Sequence, residues 1–363
     1  MKNAPILIYI FYLFILGCKP KKADINFNGL LSLDKILENQ KTQDKYLALV
    51  LTMSGCDLCD FYKKQLLSLN QSKTTPFNSD LEIKSIDVKN ENFWFNQLLR
   101  EYSFPLTVIF DKNGEVKGFF RGARPEILVT ALKSVYSGKI YYRSKDYFLN
   151  SAKTDSFSGE QKLDFINQVL KGTKLLKSNK TLNTDEINSL SKNVDQMPYF
   201  FNSYLLAKAM MLVKDTIGAQ NIARETLKKY NREIDAILYH SLKNELRYLT
   251  DNQYQDFNEA LITTPQTEIN FGAENVGIFK KITIPIKNSG KKPLLINNVK
   301  VSCDCIKAIW PKEYLPPGKT AEITVSYKLK EAGIFNQNVF VFSNSATEPL
   351  KININGVAQI TNN

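Results

Sequence analysis

The sequence predicts a multidomain chain: an α/β domain, then an all-α helical region, then an all-β sandwich. Three observations carry this. Residues 46–136 alternate short apolar runs with helical patterns, as an α/β layer requires. Residues 141–265 carry amphipathic stretches at helical period and almost no proline. From about Thr267 onward, apolar residues recur at every second position, the period of a half-buried strand. At 363 residues the chain has room for two or three domains. A composition of 43% hydrophobic and 23% charged residues is globular, so disorder is not expected.

The N-terminus has its own pattern. Lys2 is a minimal basic start, Ile6–Leu16 is wholly apolar, and Gly17-Cys18 follows. That run has the length of a signal-peptide core, whereas a bilayer span needs about twenty residues. The sequence Ile15-Leu16-Gly17-Cys18 resembles a bacterial lipobox. The resemblance implies a lipoprotein signal peptide over 1–17, cleavage before Cys18, lipidation of Cys18, and a tether over 18–29. Several acyl chains anchor stably where one does not. No acidic residue directly follows Cys18, which favours the periplasmic face of the outer membrane within a cell envelope. An ordinary signal peptide or an uncleaved anchor helix is the alternative.

Export bears on the other thiols. Outside the cytosol no glutathione pool keeps cysteines reduced, so the remaining four, in two close pairs, read as disulfides or redox couples. Other chemistries are excluded more simply. His240 is the sole histidine, which removes multi-histidine zinc sites and leaves Ser-His-Asp catalysis a single candidate. The net charge of +12 comes from scattered Lys and Arg with no base-reading motif, so nucleic acid is not an expected partner.

In the first domain, residues 46–53 form an apolar run suited to a buried strand. Ser54-Gly55 breaks it, and Cys56-Asp57-Leu58-Cys59 opens a helix in which Phe61, Leu66, Leu67 and Leu69 lie at roughly helical spacing. A CxxC at a strand-to-helix junction sets the first sulfur against unpaired N–H groups and a positive dipole end, which stabilise a thiolate. The second Cys, one turn on, is within reach to resolve a mixed disulfide. Leu81–Val88 reads as a strand, Glu91–Tyr102 as a helix, Leu106–Phe110 as a strand opened by Phe104-Pro105, Asp111–Gly114 as a hairpin turn, Glu115–Arg121 as a strand and Pro125–Tyr136 as a helix.

With the CxxC after a buried strand, Pro105 opening a central strand, the DKNG turn and Gly122 before the last helix, residues 30–140 resemble the thioredoxin superfamily. The resemblance implies a cis Phe104–Pro105 bond beside Cys56, on the face that binds a substrate strand. It also implies Cys56 as nucleophile and Cys59 as resolving thiol. The departures matter. Gly55 stands where the family often has Trp, Leu58 where it often has Pro or His, and Val50 where it has a buried acid. Asp57 and Asp60 add negative charge beside the thiols, which disfavours the thiolate and goes with a more reducing couple.

The middle region, 141–265, carries amphipathic stretches at Gln161–Leu176, Thr184–Val194, Tyr199–Val213, Ala219–Tyr230 and Glu233–Thr250. Tyr199, Phe200, Phe201 and Tyr204 read as helix core in preference to a peptide-binding stripe, and His240 as a packed or solvated helix residue. No chemistry is legible there.

In the last domain, Ile282/Ile284/Ile286, Ile323/Val325/Tyr327, Val339/Val341 and Ile352/Ile354 alternate with polar residues, and turn signals fall at regular intervals. This predicts an antiparallel sandwich of about seven strands over 266–363. The pattern IKNSGKKPLLINNVKVSCDC…YLPPGKTAEITVSYK resembles a bacterial Ig-like family, domain of unknown function 1573. Cys303-Asp304-Cys305 places two thiols on one face of an extended strand. Three readings stand open: a strained redox disulfide, a two-thiolate Cu(I) site, or two structural cysteines.

The expected function is a membrane-tethered periplasmic thiol–disulfide oxidoreductase, a protein-disulfide reductase or isomerase. Its partners would be protein thiols and disulfides and a membrane or periplasmic thiol donor. No cofactor is expected, since no nucleotide-binding loop is present. The rival readings are a non-enzymatic scaffold lipoprotein whose CxxC is structural, and a copper-handling lipoprotein.

Overall fold

The structure is a computed structural model and describes residues 22–27, 32–53, 56–88, 92–101, 104–143, 157–178, 181–230, 233–301, 306–329, 332–347 and 349–360. Two compact units share the chain: residues 1–92 with 103–143, and residues 93–102 with 144–363. Among the described residues the N-terminal part is α/β, residues 159–250 are helical, and the C-terminal part is β-sheet.

In the first unit, strands β1 (Asp24–Asn26), β2 (Tyr46–Thr52), β3 (Leu81–Asp87), β4 (Leu106–Phe110), β5 (Val116–Arg121) and β6 (Tyr141–Arg143) form one sheet in the order β1-β3-β2-β4-β5-β6. β1 and β2 run parallel to β3, and β6 parallel to β5, whereas β4 is antiparallel to both β2 and β5. β2 is buried at six of its seven positions, as a strand covered on both faces must be. Helices α1 (Leu33–Gln43), α2 (Asp57–Gln71) and α4 (Pro125–Tyr136) complete the unit; the intervening helix α3 (Phe93–Leu99) belongs to the second. Ala48 and Val50, alternate residues of β2, share a core with Tyr62 and Leu66 of α2 and with Leu128, Ala131 and Leu132 of α4. The turn into β5 is closed by Asp111, whose Oδ1 accepts from the backbone of Asn113 and Glu115, each at 2.9 Å. Gly114 completes it at φ 77°, where a side chain would be strained.

The second unit begins with helices α5 (Gly159–Lys177), α6 (Thr184–Gln196), α7 (Phe200–Leu212), α8 (Thr216–Lys229) and α9 (Glu233–Thr250). Reciprocal capping boxes start α5 (Ser158 with Gln161) and α6 (Asn183 with Glu186). Tyr199, Phe200, Phe201 and Tyr204 are all buried, so this aromatic run is core. α3 is buried from Phe95 to Leu99. Its last carbonyls, which no helical N–H can reach, are met by phenols: Tyr239 donates to Gln97 O and Tyr199 to Leu98 O, both at 2.9 Å. Gln97 Nε2 donates to Leu238 O at 2.7 Å, and Arg100 pairs with Asp235 at 3.0 Å.

The C-terminal strands are β7 (Ile262–Thr263), β8 (Glu268–Asn275), β9 (Phe279–Asn288), β10 (Ile296–Val301), β11 (Ile306–Ile309), β12 (Thr320–Lys328), β13 (Gly333–Ser343) and β14 (Leu350–Gln359). They form two sheets, β10-β13-β14-β8 and β11-β12-β9-β7. Ile284, Ile286, Ile323 and Val325 of one sheet meet Ile296, Val339, Val341, Ile352 and Ile354 of the other in a shared core, which makes a sandwich. The described strands number eight, one more than predicted. The extra one arises because β7 pairs with β9 whereas β8 pairs, in parallel, with β14. Pro265 lies between them, where a residue without an N–H cannot continue a ladder.

Candidate redox site

β2 leads into α2 through Met53, and Cys56 stands at the helix N-cap with extended φ/ψ of −96° and 93°. Its Sγ accepts from the backbone N of Cys59 at 3.2 Å, and its carbonyl accepts from Cys59 and Asp60 N at 2.9 and 3.1 Å. A sulfur therefore occupies the place usually filled by a capping oxygen, against the orphan N–H groups of the first turn. Cys56 and Cys59 are joined in a disulfide with their Cα atoms 5.2 Å apart. Cys59 is only 1% exposed, while Cys56 is half-buried. Of the two, Cys56 is the more exposed.

The apolar face of α2 differs from the one read in the sequence. Cys59, Tyr62 and Leu66 form the buried stripe, at i, i+3 and i+7. Phe61 and Leu67 lie off it and are 54% and 39% exposed. Phe61 instead joins Leu58, 52% exposed, three residues earlier on the same helix side. Two large apolar side chains thus stand in water within five residues of Cys56. Spacing alone held the signal, since Cys59-Tyr62-Leu66 is the stripe that excludes Phe61.

The Phe104–Pro105 peptide bond is cis. Leu106 of β4 pairs with Leu51 of β2. The start of β4 and the end of β2 therefore lie together, and Pro105 is at the sheet end from which the CxxC segment departs. Pro105 O accepts from Gly122 N at 3.1 Å, and Gly122 holds φ 110°.

Beneath α2 the chain has hydroxyls in place of a carboxylate. Val50, at the position where the resemblance implies an acid, pairs with Thr107 across the sheet. Thr107 and Tyr62 are fully buried, and neither hydroxyl meets full hydrogen-bond geometry. Burial pushes Tyr62 up to about 12, with the Thr107 hydroxyl working in the opposite direction. Tyr62 is thus neutral at physiological pH and takes no proton there. The residues read from the sequence did not include this pair.

Asp57 and Asp60 sit exposed in the first turn of α2, and Asp60 pairs with Lys63 at 2.7 Å. Asp57 is the first residue of α2, next to the Cys56 cap. Asp57→Asn is expected to make the 56–59 couple less reducing by about 6–20 mV, the shift that a surface charge interaction of roughly 0.3–1 kcal/mol amounts to. Equilibration with a glutathione buffer checks it; an unchanged or more negative potential would refute the electrostatic argument.

Cys18, residues 1–17 read as a signal peptide, Cys303 and Cys305 lie outside the described residues. Among the described residues no group of three or more His, Cys, Asp or Glu side chains is placed to hold a metal ion. No helix among them is long and apolar enough to cross a membrane.

Residues 262–358 match a family described as a protein of unknown function (DUF1573). No curated protein matches the chain. Among solved structures, a protein of unknown function from Porphyromonas gingivalis is 14% identical over 30% of this chain, with a TM-score of 0.26, and the chain spans only half its length. The PapD-like domain 7 of human CEP192 is 9% identical over 30% of this chain and 91% of its own, with a TM-score of 0.26. Thioredoxin f from spinach chloroplast is 19% identical over 32% of this chain and 96% of its own, with a TM-score of 0.27.

Proposed function

We propose that this chain is a membrane-tethered thiol–disulfide oxidoreductase of the cell envelope, with a thioredoxin-like first unit acting on protein disulfides as a reductase or isomerase. The observation that carries the reading is the placement of the sulfurs: an accessible Cys56 capping α2, and a buried Cys59 one turn on. Pro105 at the same sheet end and the order β1-β3-β2-β4-β5 support it. A disulfide across four residues closes too small a loop to constrain the unfolded chain much, which argues against a purely structural role.

In the reduced form, the Cys56 thiolate attacks one sulfur of a substrate disulfide. A Cys56–substrate bond forms, the substrate S–S bond breaks, and the departing thiolate takes a proton. Cys59, deprotonated, then attacks Cys56 Sγ; the 56–59 disulfide forms and the second substrate thiol leaves. Two electrons have passed from the pair to the substrate. An exported dithiol donor restores the reduced pair by the same exchange in reverse. Leu58 and Phe61 offer apolar contact to the segment flanking the substrate cysteine, and the edge before Pro105 offers backbone. A Cys18 lipid anchor would hold the protein at the periplasmic face of the outer membrane.

Reduction of insulin disulfides by the full chain with dithiothreitol tests this. The parent is expected to accelerate precipitation of the B chain, and Cys56→Ser to fall to the uncatalysed rate. Equal rates for the two would leave the scaffold reading in place.

A further inference from the structure

We propose that a cavity between α4 and β6 of the first unit binds the phosphate of a small phosphate ester that also carries an ammonium or hydroxyl group. The cavity, about 370 Å³, is lined by Arg124, Glu126, Ile127, Thr130, Tyr141 and Arg143. That volume lies in the range that holds small ligands. β6 completes it: the strand joins the sheet beyond α4, in parallel with β5, and sets Arg143 beside Phe120. Residues paired in this way face the same side of a sheet, and Phe120 shares a core with Ile127 and Leu128 of α4. Arg143 therefore stands on the face that α4 covers. Arg124 comes from the helix side, as the N-cap residue of α4 whose side chain makes no capping hydrogen bond.

The lining selects the ligand class. Arg124 and Arg143 are exposed, and among the described residues neither pairs with a carboxylate. Two guanidinium groups on one cavity repel each other, and a phosphate accepts from both forks at once. The remaining polar groups are of the other kind. Thr130 donates its hydroxyl proton to Glu126 O at 2.8 Å, so towards a ligand it is an acceptor, as the Glu126 carboxylate is. Two cations and two acceptors around one space suit a molecule with an anion at one end and a donor a few atoms away. A bare carboxylate ligand brings one charge to two arginines and no donor to Glu126. Arg121 alternates with Phe120 along β5 and faces the opposite side of the sheet. Lys145 and Asp146, which follow Arg143, lie outside the described residues and are opposite in sign.

The position in the sheet is one where ligands are held. Arg121 pairs with Leu106 of β4, and Leu106 with Leu51 of β2. The carboxyl ends of β2, β5 and β6 therefore lie at one end of the sheet, and open α/β sheets bind their ligands in crevices at that end. Only β4 separates β2 from β5, a distance of about 10 Å at two strand spacings. A ligand in the cavity is thus a neighbour of the CxxC segment. It takes no part in the sulfur exchange, and the site stands whether or not the 56–59 pair is catalytic.

Titration calorimetry of the full chain with phosphoethanolamine, glycerol 3-phosphate, inorganic phosphate and acetate tests this. The two esters are expected to bind more tightly than inorganic phosphate, and acetate not to bind. Arg124→Gln and Arg143→Gln should each weaken the esters by about tenfold, the loss of a charge-assisted contact, with the thermal midpoint unchanged because both side chains are exposed. Glu126→Gln should abolish the advantage of phosphoethanolamine over glycerol 3-phosphate and keep phosphate binding. Vesicles of phosphatidylethanolamine in phosphatidylcholine, added as competitors, separate the two sources of such a group. Displacement of phosphoethanolamine assigns the site to a lipid headgroup, and undiminished binding assigns it to a soluble ester. The proposal is overturned if none of the three phosphates binds at millimolar concentrations, if acetate binds as well as they do, or if neither arginine substitution changes the affinity.

Discussion

A reduced Cys59→Ser variant mixed with insulin is expected to stop at a covalent complex. Cys56 can still open the substrate disulfide, but the nucleophile that would release it is gone. The complex should appear on a non-reducing gel as one added insulin molecule, its two chains still joined by the interchain disulfide that was not attacked, vanish on reduction, and be absent from the Cys56→Ser/Cys59→Ser double variant. Steady turnover should be lost altogether, because each protein molecule completes one half-reaction. The proposed order of the two sulfurs rests on Cys59 being buried while Cys56 is half-buried. A complex that forms equally well through Cys59 in a Cys56→Ser variant would reverse that order and sink the proposed roles.

The second large effect concerns stability. Arg100 and Asp235 are paired at 3.0 Å with side chains 6% and 1% exposed. Removing one partner leaves the other charge buried, so Asp235→Ala should cost about 3–5 kcal/mol in urea unfolding of the full chain. Replacing both, Arg100→Met with Asp235→Leu, should cost clearly less, since neither charge then remains to be desolvated. If the double variant were as unstable as the single one, the loss would lie in packing and not in the uncompensated charge.

The same region sets the alkaline limit. Burial holds Tyr199 and Tyr239 well above the ordinary phenol value, while the unfolded chain ionises near pH 10. Above that pH the unfolded state releases protons that the native state keeps, so stability that is complete below about 10 falls as pH rises further. Lys243 acts in the opposite sense. Burial lowers it to about 8, so between about 8 and 10.4 the unfolded chain holds the extra proton and stability rises with pH. The urea midpoint should therefore climb modestly from pH 8 and drop beyond pH 10. A midpoint flat from pH 9.5 to 11 would contradict the burial of these tyrosines.

How much of this was legible depended on the range of the interaction. β2, β4 and the alternating strands of the sandwich were readable because burial on one or both faces writes a local period of two or an unbroken apolar run. The capped CxxC was readable for the same reason, all its parts lying within a few residues. Phe61 was misplaced because several apolar residues on α2 competed for one stripe, and only the position of Cys59 and Tyr62 decides which face turns inward. Arg100 and Asp235 are separated by 135 positions, and no local pattern joins them. The Tyr62–Thr107 pair was hidden similarly, since a tyrosine in an amphipathic helix and a threonine in a strand are each ordinary alone. The change of sheet at Pro265 was signalled by the proline, but two-residue β7 is too short to read.

The ten residues Phe93–Tyr102 lie in the chain between β3 and β4 yet fold with the second unit. Dissection of the gene at residue 143 would therefore sever a shared inheritance. A fragment starting at 144 would present Tyr199 and Tyr239 hydroxyls with no Leu98 or Gln97 carbonyl to receive them, and Asp235 with no guanidinium. A fragment ending at 143 would carry Phe95, Leu98 and Leu99 as unsheltered cargo. Co-expression of the two halves should consequently rescue solubility that neither shows by itself, with the ten-residue insert acting as the clasp.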